Sequence, residues 1–111
     1  HIIRVVAADG TISTLAGTGT SGSSGDGGLA TSAFLNVPEN VTFSSTTQDI
    51  YIADLSNQRI RQIKPDGTII TLAGRASNYQ SNILASNAEI MNPRNIWMDN
   101  NDNIYSSIVK S

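Results

Sequence analysis

The sequence predicts an all-β fold built from repeated four-stranded antiparallel sheets, and three observations support this prediction. The apolar runs are short and rich in residues that favour β-strands. Turn-forming Gly, Pro, Asn and Asp residues separate these runs. The chain also carries an internal repeat, which is the signature of a repeat architecture. Hydrophobic residues make up 39% of the 111 residues, which is enough for a modest core and argues against wholesale disorder.

The internal repeat is visible at three separate places along the chain. The first part repeats at an offset of 57 residues, the middle part at 55 and the last part at 54. The second unit is shorter than the first by two residues in a Gly-rich stretch and by one residue in a polar turn, where changes in length cost little. The matching residues are Ile3-Arg4 with Ile60-Arg61, 9–12 with 66–69, 14–17 with 71–74, Asn40 with Asn95, and Ile50-Tyr51 with Ile104-Tyr105.

Each repeat unit is predicted to contain four short strands. In the central unit these strands cover residues 37–43, 49–53, 58–63 and 68–73. Apolar and polar side chains share both faces of these strands, which suits a sheet packed on both sides by copies of itself. Four-stranded sheets repeated radially form a β-propeller, in which each sheet is a blade. We therefore expect about two blades of a propeller.

The repeat also predicts how the chain divides among blades. Residues 1–17 are expected to be the second half of one blade, 37–74 a complete blade and 91–111 the first half of another. Residues 18–36 and 75–90 then form inter-blade loops. The end of one unit leads in register into the start of the next, so we expect a segment of a longer array or a two-unit protomer. Three protomers would close a six-bladed ring, and an isolated monomer is not expected.

Composition narrows the range of functions. The net charge is −2 and no cluster of Lys or Arg is present, so we expect no nucleic-acid partner. No apolar run approaches the ~20 residues of a membrane span. The chain has no Cys and its one histidine is His1, which disfavours a zinc site or a nucleophile paired with a base. We predict no catalytic residue, no metal and no cofactor.

Two motifs resemble ligand sites but favour a plainer interpretation. Residues 17–22 fit the pattern G-x-G-x-x-G, yet the Gly- and Ser-rich sequence that follows cannot sustain the helix that a dinucleotide site needs. Residues 99–103 imitate the start of an EF-hand loop, but Ile104 and Lys110 occupy the positions that require Gly and Glu. We interpret the first motif as an inter-blade loop and the second as a hairpin turn.

Several residues are candidates for binding, packing or modification. Loops on a rigid scaffold often carry function, so the inter-blade loops are a candidate partner surface. A structural ion pair is expected between Asp54 and either Arg59 or Arg61. Asn40-Val41-Thr42 matches the N-glycosylation sequon, and occupancy would fix an extracellular location. Trp97 is expected to pack in the core or between blades, with a partner contact as the alternative. The candidate residues of the partner-binding loops are Thr20, Ser24, Asp26 and Tyr79.

The chain carries a Gly-rich segment followed by Pro38, the run Tyr51-Ile52-Ala53-Asp54 and the run Asn57-Gln58-Arg59-Ile60-Arg61. With these motifs it resembles the NHL-repeat β-propellers, especially the long-repeat variety of secreted and cell-surface proteins. The central unit departs from the family pattern at Gln58, where His is frequent, and at Asn40, where Gly is usual. The last unit is degenerate, because residues 75–82 replace the second Gly-rich segment and Ser107-Ile108 replaces an Ala-Asp pair. The residues that carry the resemblance are 18–20, 24–28, 30–33, Leu35-Asn36, Pro38, 51–54 and 57–61.

The resemblance implies a non-enzymatic scaffold for protein binding or assembly, outside the cell or at its surface. The inter-blade loops, around residues 18–32 and 75–86, would meet a protein, a glycan or another copy of the chain. One alternative is a structural subunit joined through the strand edges at His1 and Ser111. Another is part of a propeller hydrolase or lyase whose active site lies outside this chain. Some relatives in the wider group are metal-dependent lyases, but their histidine ligands have no counterparts here.

Overall fold

The computed structural model describes residues 1–74, 84–85 and 88–108, and these residues form an all-β fold. The predicted fold class is confirmed. The described segments include no helix with the length and apolar character needed to cross a membrane. Single 3₁₀ turns cover Ala30–Ser32 and Leu55–Asn57. The strands are β1 (Ile3–Val6), β2 (Ile12–Ala16), β3 (Pro38–Phe43), β4 (Ile50–Asp54), β5 (Arg59–Ile63), β6 (Ile69–Ala73), β7 (Ile96–Met98) and β8 (Ile104–Ser106).

The central sheet has the antiparallel strand order β3-β4-β5-β6. Its strands begin and end within one residue of the predicted bounds, because local turn chemistry fixes them. In the β5–β6 turn, the backbone N–H and the hydroxyl of Thr68 both donate to Asp66 Oδ1, at 2.9 and 2.7 Å. Gly67 has a φ of +89°, a conformation that glycine adopts at little steric cost. The β1–β2 turn repeats this arrangement with Asp9, Gly10 and Thr11.

Two smaller sheets pack against opposite faces of the central one. Sheet β1–β2 contributes Ala16 to a buried cluster with Ile52 and Ile63. Sheet β7–β8 contributes Ile96 to a second cluster with Tyr51. This arrangement explains why strands β4, β5 and β6 lack a solvent-facing side, whereas Val41 and Phe43 of β3 are exposed. Strands β3 and β7, each the first of its sheet, contact one another. The sheets therefore succeed one another as blades do in a segment of a propeller.

The Gly-rich segment between β2 and β3 runs beside the outer strand β6. Gly27 N–H donates to Ile69 O at 2.7 Å, and Ile69 N–H donates to Gly28 O at 3.0 Å. Ala30 N–H donates to Gly67 O at 2.9 Å, and Leu29 forms an antiparallel bridge with Thr68. The segment thus covers the edge of β6, which would otherwise present unpaired backbone groups. The predicted domain boundaries remain predictions.

Candidate functional site

A buried polar cluster surrounds Arg61 in β5. Its side chain is fully buried, and its Nη1 donates to Asp54 Oδ2 and to Phe34 O, each at 3.2 Å. Its Nη2 donates to Asp26 Oδ1 at 2.9 Å. The register between β5 and β6 shifts between Ile60 and Arg61, and a bulge of this kind re-aims a side chain. Arg61 thereby connects the central sheet to the Gly-rich segment.

The carboxylate of Asp54 accepts hydrogen bonds from several groups. Its Oδ1 accepts the backbone N–H of Asn36 at 2.8 Å, and its Oδ2 accepts the side-chain amide of Asn57 at 2.7 Å. The Asn57 amide also donates to Gly22 O at 2.6 Å. Arg59, the other predicted partner of Asp54, instead donates to Ser23 O at 3.1 Å. This geometry favours a structural role for the cluster, because the charged groups of Arg61 and Asp54 are buried and bonded to one another.

The predicted partner-binding loop residues occupy different surroundings. Thr20 and Ser24 are exposed in the Gly-rich segment. Asp26 lies in the same segment, but its Oδ2 accepts the hydroxyl of Thr71 at 2.6 Å and its other oxygen meets Arg61. Tyr79 lies outside the described residues. Solvent reaches all three residues, but both carboxylate oxygens of Asp26 already take part in contacts within the chain.

The structure brings together four polar side chains that the sequence did not single out as a group. The Nδ2 of Asn40 donates to Oδ1 of Asn95 at 3.1 Å. Beside them, Arg94 Nη1 lies 3.9 Å from Glu39 Oε1, and both side chains are exposed. Glu39 and Asn40 lie near the start of β3, and Arg94 and Asn95 directly precede β7. We call these four residues the inner-strand cluster.

Backbone hydrogen bonds to Ser107 hold one side of the inner-strand cluster. Arg94 N–H donates to Ser107 O at 3.3 Å, and Ser107 N–H donates to Asn95 O at 3.1 Å. Asn95 N–H donates to the Ser107 hydroxyl at 3.3 Å. The offset of 55 that aligns Asn40 with Asn95 is the signal from which this cluster was predictable. Two repeat-equivalent amides meet because their strands are neighbours.

Glycosylation of Asn40 stays a prediction. The residue is half-buried, and its Nδ2, the atom that would carry the sugar, is bonded to Asn95. A glycan at this position would have to replace that hydrogen bond.

Two apolar clefts lie between the sheets at equivalent places in the repeat. The first has a volume of about 410 Å³ and the second about 260 Å³. Three pairs of lining residues are related by the repeat offsets: Leu15 with Leu72, Ala30 with Ala85, and Ile50 with Ile104. Because the repeat builds both clefts alike, we interpret them as gaps in inter-blade packing.

The described carboxyl groups with shifted pKa values stabilise turns. The backbone N–H of Thr11 lowers the pKa of Asp9, and the hydroxyl of Thr68 lowers that of Asp66. The backbone N–H of Asn103 lowers the pKa of Asp99 in the β7–β8 turn. Asp99 in turn raises the pKa of Tyr105, whose hydroxyl donates to Asp99 Oδ2 at 3.0 Å.

The described residues of the inner-strand cluster offer hydrogen-bonding groups. Across the described ranges, no three His, Asp or Glu side chains are placed to hold a metal ion. The inner-strand cluster presents amide, carboxylate and guanidinium groups within reach of one another. Such groups can recognise hydrogen-bond donors and acceptors on a partner.

Neither a protein-family model nor a curated protein matches this chain. Solved structures do match it. An auxiliary nutrient binding protein from Bacteroides thetaiotaomicron VPI-5482 is 21% identical, with a TM-score of 0.70 over 95% of this chain and 29% of its own length. A protein of unknown function from the same organism is 21% identical, with a TM-score of 0.76 over 96% of this chain and 27% of its own.

A third match is an auxiliary nutrient binding protein from Bacteroides ovatus ATCC 8483. It is 21% identical, with a TM-score of 0.66 over 95% of this chain and 29% of its own length. The chain thus spans less than a third of the length of these proteins. At this identity the similarity is one of fold: the chain is an all-β segment of repeated antiparallel blades.

Proposed function

We propose that this chain is a segment of a non-enzymatic propeller of the NHL type, located outside the cell or at its surface, that binds a polar partner at the inner-strand cluster. The observation that carries the proposal is the contact between Asn40 and Asn95. It brings equivalent polar groups from two repeats to one place beside the exposed Glu39–Arg94 pair. A rigid sheet behind each amide fixes its direction, which is what a binding scaffold requires.

Two further observations support the proposal. Two of the similar solved structures are described as nutrient binding proteins, which agrees with a binding role. The chain covers less than a third of each matched protein. A coverage of 27–29% of each matched protein fits about two repeat units within a ring of six or more.

The chemistry of the inner-strand cluster indicates the kind of partner. Glu39 and Arg94 carry opposite charges, so the site has no strong preference for an anion or a cation. Within the described residues, Nδ2 of Asn95 donates no hydrogen bond, so it can donate to a partner. Amides that both donate and accept match the backbone of a protein segment or the hydroxyl groups of a glycan.

An NMR titration of the ¹⁵N-labelled chain tests this proposal. A panel of oligosaccharides and a panel of peptides would be added, and the side-chain amide signals of Asn40 and Asn95 followed. We expect a binding ligand to shift these signals, and Asn95→Ala to weaken binding by at least about tenfold. Asn101→Ala is the matched control, because Asn101 lies in the β7–β8 turn.

Two results would contradict the proposal. One is a ligand that binds Asn95→Ala as tightly as the unchanged chain but loses affinity when Thr20 and Ser24 are replaced by alanine. That result would place binding on the Gly-rich segment. The other is turnover of a substrate that a chelator abolishes, which would favour the hydrolase or lyase alternative.

A further inference from the structure

One nitrogen of the Arg61 side chain has no partner in the buried polar cluster around this residue. The side chain is fully buried, and both of its Nη atoms donate hydrogen bonds, to Asp54, Phe34 and Asp26. Its Nε also carries a hydrogen, because a guanidinium group stays protonated in proteins. In the part of the chain that the structure describes, this Nε is the one buried side-chain nitrogen or oxygen that lacks a hydrogen bond. A buried donor left in this way loses its hydration without compensation.

The carboxylate acceptors around Arg61 are already engaged. Asp26 Oδ1 accepts from Nη2, and its Oδ2 accepts the hydroxyl of Thr71 at 2.6 Å. Asp54 Oδ2 accepts from Nη1 and from Asn57, and its Oδ1 accepts a backbone N–H. Turning either carboxylate towards Nε would therefore break a hydrogen bond that it now makes. A small molecule bound in the cluster can supply the acceptor without such a loss.

The charges of the cluster decide which kind of molecule fits. One guanidinium lies between two carboxylates, Asp26 and Asp54, so the three side chains together carry one negative charge. An anion would add a second negative charge to a buried site, which is costly. A cation has no lone pair with which to accept from the Nε hydrogen. The molecule is therefore neutral and offers an acceptor atom.

The packing of the Gly-rich segment limits the size of this molecule. At Gly25, an added Cβ would lie 2.6 Å from the Cα of Ala33, and at Gly22 it would lie 2.8 Å from the Cβ of Phe34. The segment thus packs closely on residues 33–34, and the carbonyl of Phe34 accepts from Arg61. Backbone this close to the guanidinium favours the smallest neutral acceptor, water, over an organic group. Water is also the usual partner of buried polar groups that the chain leaves unpaired.

We propose that a single water molecule is bound inside the Arg61 cluster and accepts a hydrogen bond from Arg61 Nε. It belongs to the fold and lies between the central sheet and the Gly-rich segment. Buried waters typically make about three hydrogen bonds. Carbonyl and carboxylate oxygens accept more than one hydrogen bond, so oxygens that already bind Arg61 also accept from this water. The site is independent of the proposed binding at the inner-strand cluster.

The water helps to hold the Gly-rich segment on the sheet. Asp26 and Arg61 join the segment to the sheet through one pair of charged atoms, 2.9 Å apart, and a bridging water adds a second connection. The Arg61 side chain is completely inaccessible to solvent. The water therefore exchanges with solvent only when the segment lifts from the sheet.

A crystal structure of the 111-residue chain, at a resolution that shows ordered solvent, tests the site. We expect a density peak within about 3.2 Å of Arg61 Nε in every independent copy of the chain. Crystals grown with bromide in place of chloride should show no anomalous signal at this peak, because an anion does not fit. A bromide signal there would overturn the proposal. So would a structure in which Nε donates to an oxygen of the protein itself.

Two matched variants test the donor. Arg61→Met removes Nε and should remove the density peak, whereas Arg59→Met should retain it, because Arg59 bonds to Ser23 O outside the cluster. A peak that persists in Arg61→Met would show that other groups hold the molecule, which would contradict the proposal.

Solution NMR of the unchanged chain provides a measurement that needs no variant. The Nε proton of Arg61 should show a dipolar cross-peak to water, with opposite signs in laboratory-frame and rotating-frame spectra. The Nε proton of Arg59, whose hydrogen bond to Ser23 O is exposed, should show proton exchange alone, with the same sign in both spectra. The absence of a dipolar cross-peak at Arg61, or an equal one at Arg59, would overturn the proposal.

Discussion

Arg61 Nη1 lies 3.2 Å from Asp54 Oδ2, and neither side chain is exposed to solvent. The other end of the guanidinium reaches Asp26 in the Gly-rich segment, at 2.9 Å. One side chain thus holds a sheet and the segment that covers its edge. Burying charges is costly, and removing one partner leaves the other without compensation. The cluster is therefore sensitive to single substitutions.

We expect Arg61→Met to lower the free energy of unfolding by about 3–5 kcal/mol, because Asp54 becomes a buried charge without its cation. Urea unfolding followed by circular dichroism measures the change. Arg59→Met is the matched control and should cost about 1 kcal/mol or less, since Arg59 makes one exposed hydrogen bond to Ser23 O. Equal losses in the two variants would show that the buried pair has no special role.

We expect Asp26→Asn to loosen the Gly-rich segment more than the sheet. The change removes a charge that accepts bonds from both Arg61 and Thr71. Amide hydrogen exchange of Gly27, whose N–H donates to Ile69 O, should accelerate by about tenfold or more. Exchange of Gly10, in the β1–β2 turn, should not change. Acceleration at both sites to the same extent would indicate global destabilisation instead.

Two glycines with positive φ should respond differently to substitution by alanine. Gly74 has a φ of +98°, and an added Cβ would collide with the carbonyl oxygen of Gln58. Gly67 has a φ of +89°, but its added Cβ would meet only Leu29 Cδ2 at 3.9 Å. We expect Gly67→Ala to cost about 1–2 kcal/mol, from the backbone conformation alone. Gly74→Ala should cost at least about 2 kcal/mol more, as measured by urea unfolding. Equal losses of unfolding free energy in the two variants would show that the backbone near Gly74 shifts to avoid the collision without further loss of stability.

The Asp-Gly turns should make the folding stability of the chain depend on pH. The Thr68 hydroxyl and N–H hold the pKa of Asp66 below 3.8 in the folded chain. A group with a depressed folded pKa contributes stability above its unfolded pKa and loses that contribution as the pH falls through the folded value. Asp66→Asn should therefore be less stable than the unchanged chain at neutral pH, with the difference shrinking below pH 3.8. Urea midpoints measured across this range check the sign, and a difference that grows in acid would contradict it.

The strand positions were predictable because their causes are local. Asp66 and Gly67 fix a turn through bonds within three residues, and the same pattern recurs at Asp9 and Gly10. The packing of both faces of the central sheet was also predictable, since neither face of its strands is consistently polar. The resemblance pointed to inter-blade loops, but the pairing of residues 27–30 with the edge of β6 depends on sheet geometry that the sequence does not show.

By itself, the sequence determined that this chain is all-β, that its four-stranded unit recurs, and where each strand of the central unit lies. Only the tertiary structure decided that Arg61 rather than Arg59 meets Asp54, that Asp26 joins them, and that Asn40 reaches Asn95. Turn residues act over a few positions, and the repeat is visible as self-similarity within the sequence, so one sequence is enough to reveal both. Side-chain partners separated by many residues depend on sheet twist, on a bulge and on how neighbouring blades pack, and these are properties of the folded molecule.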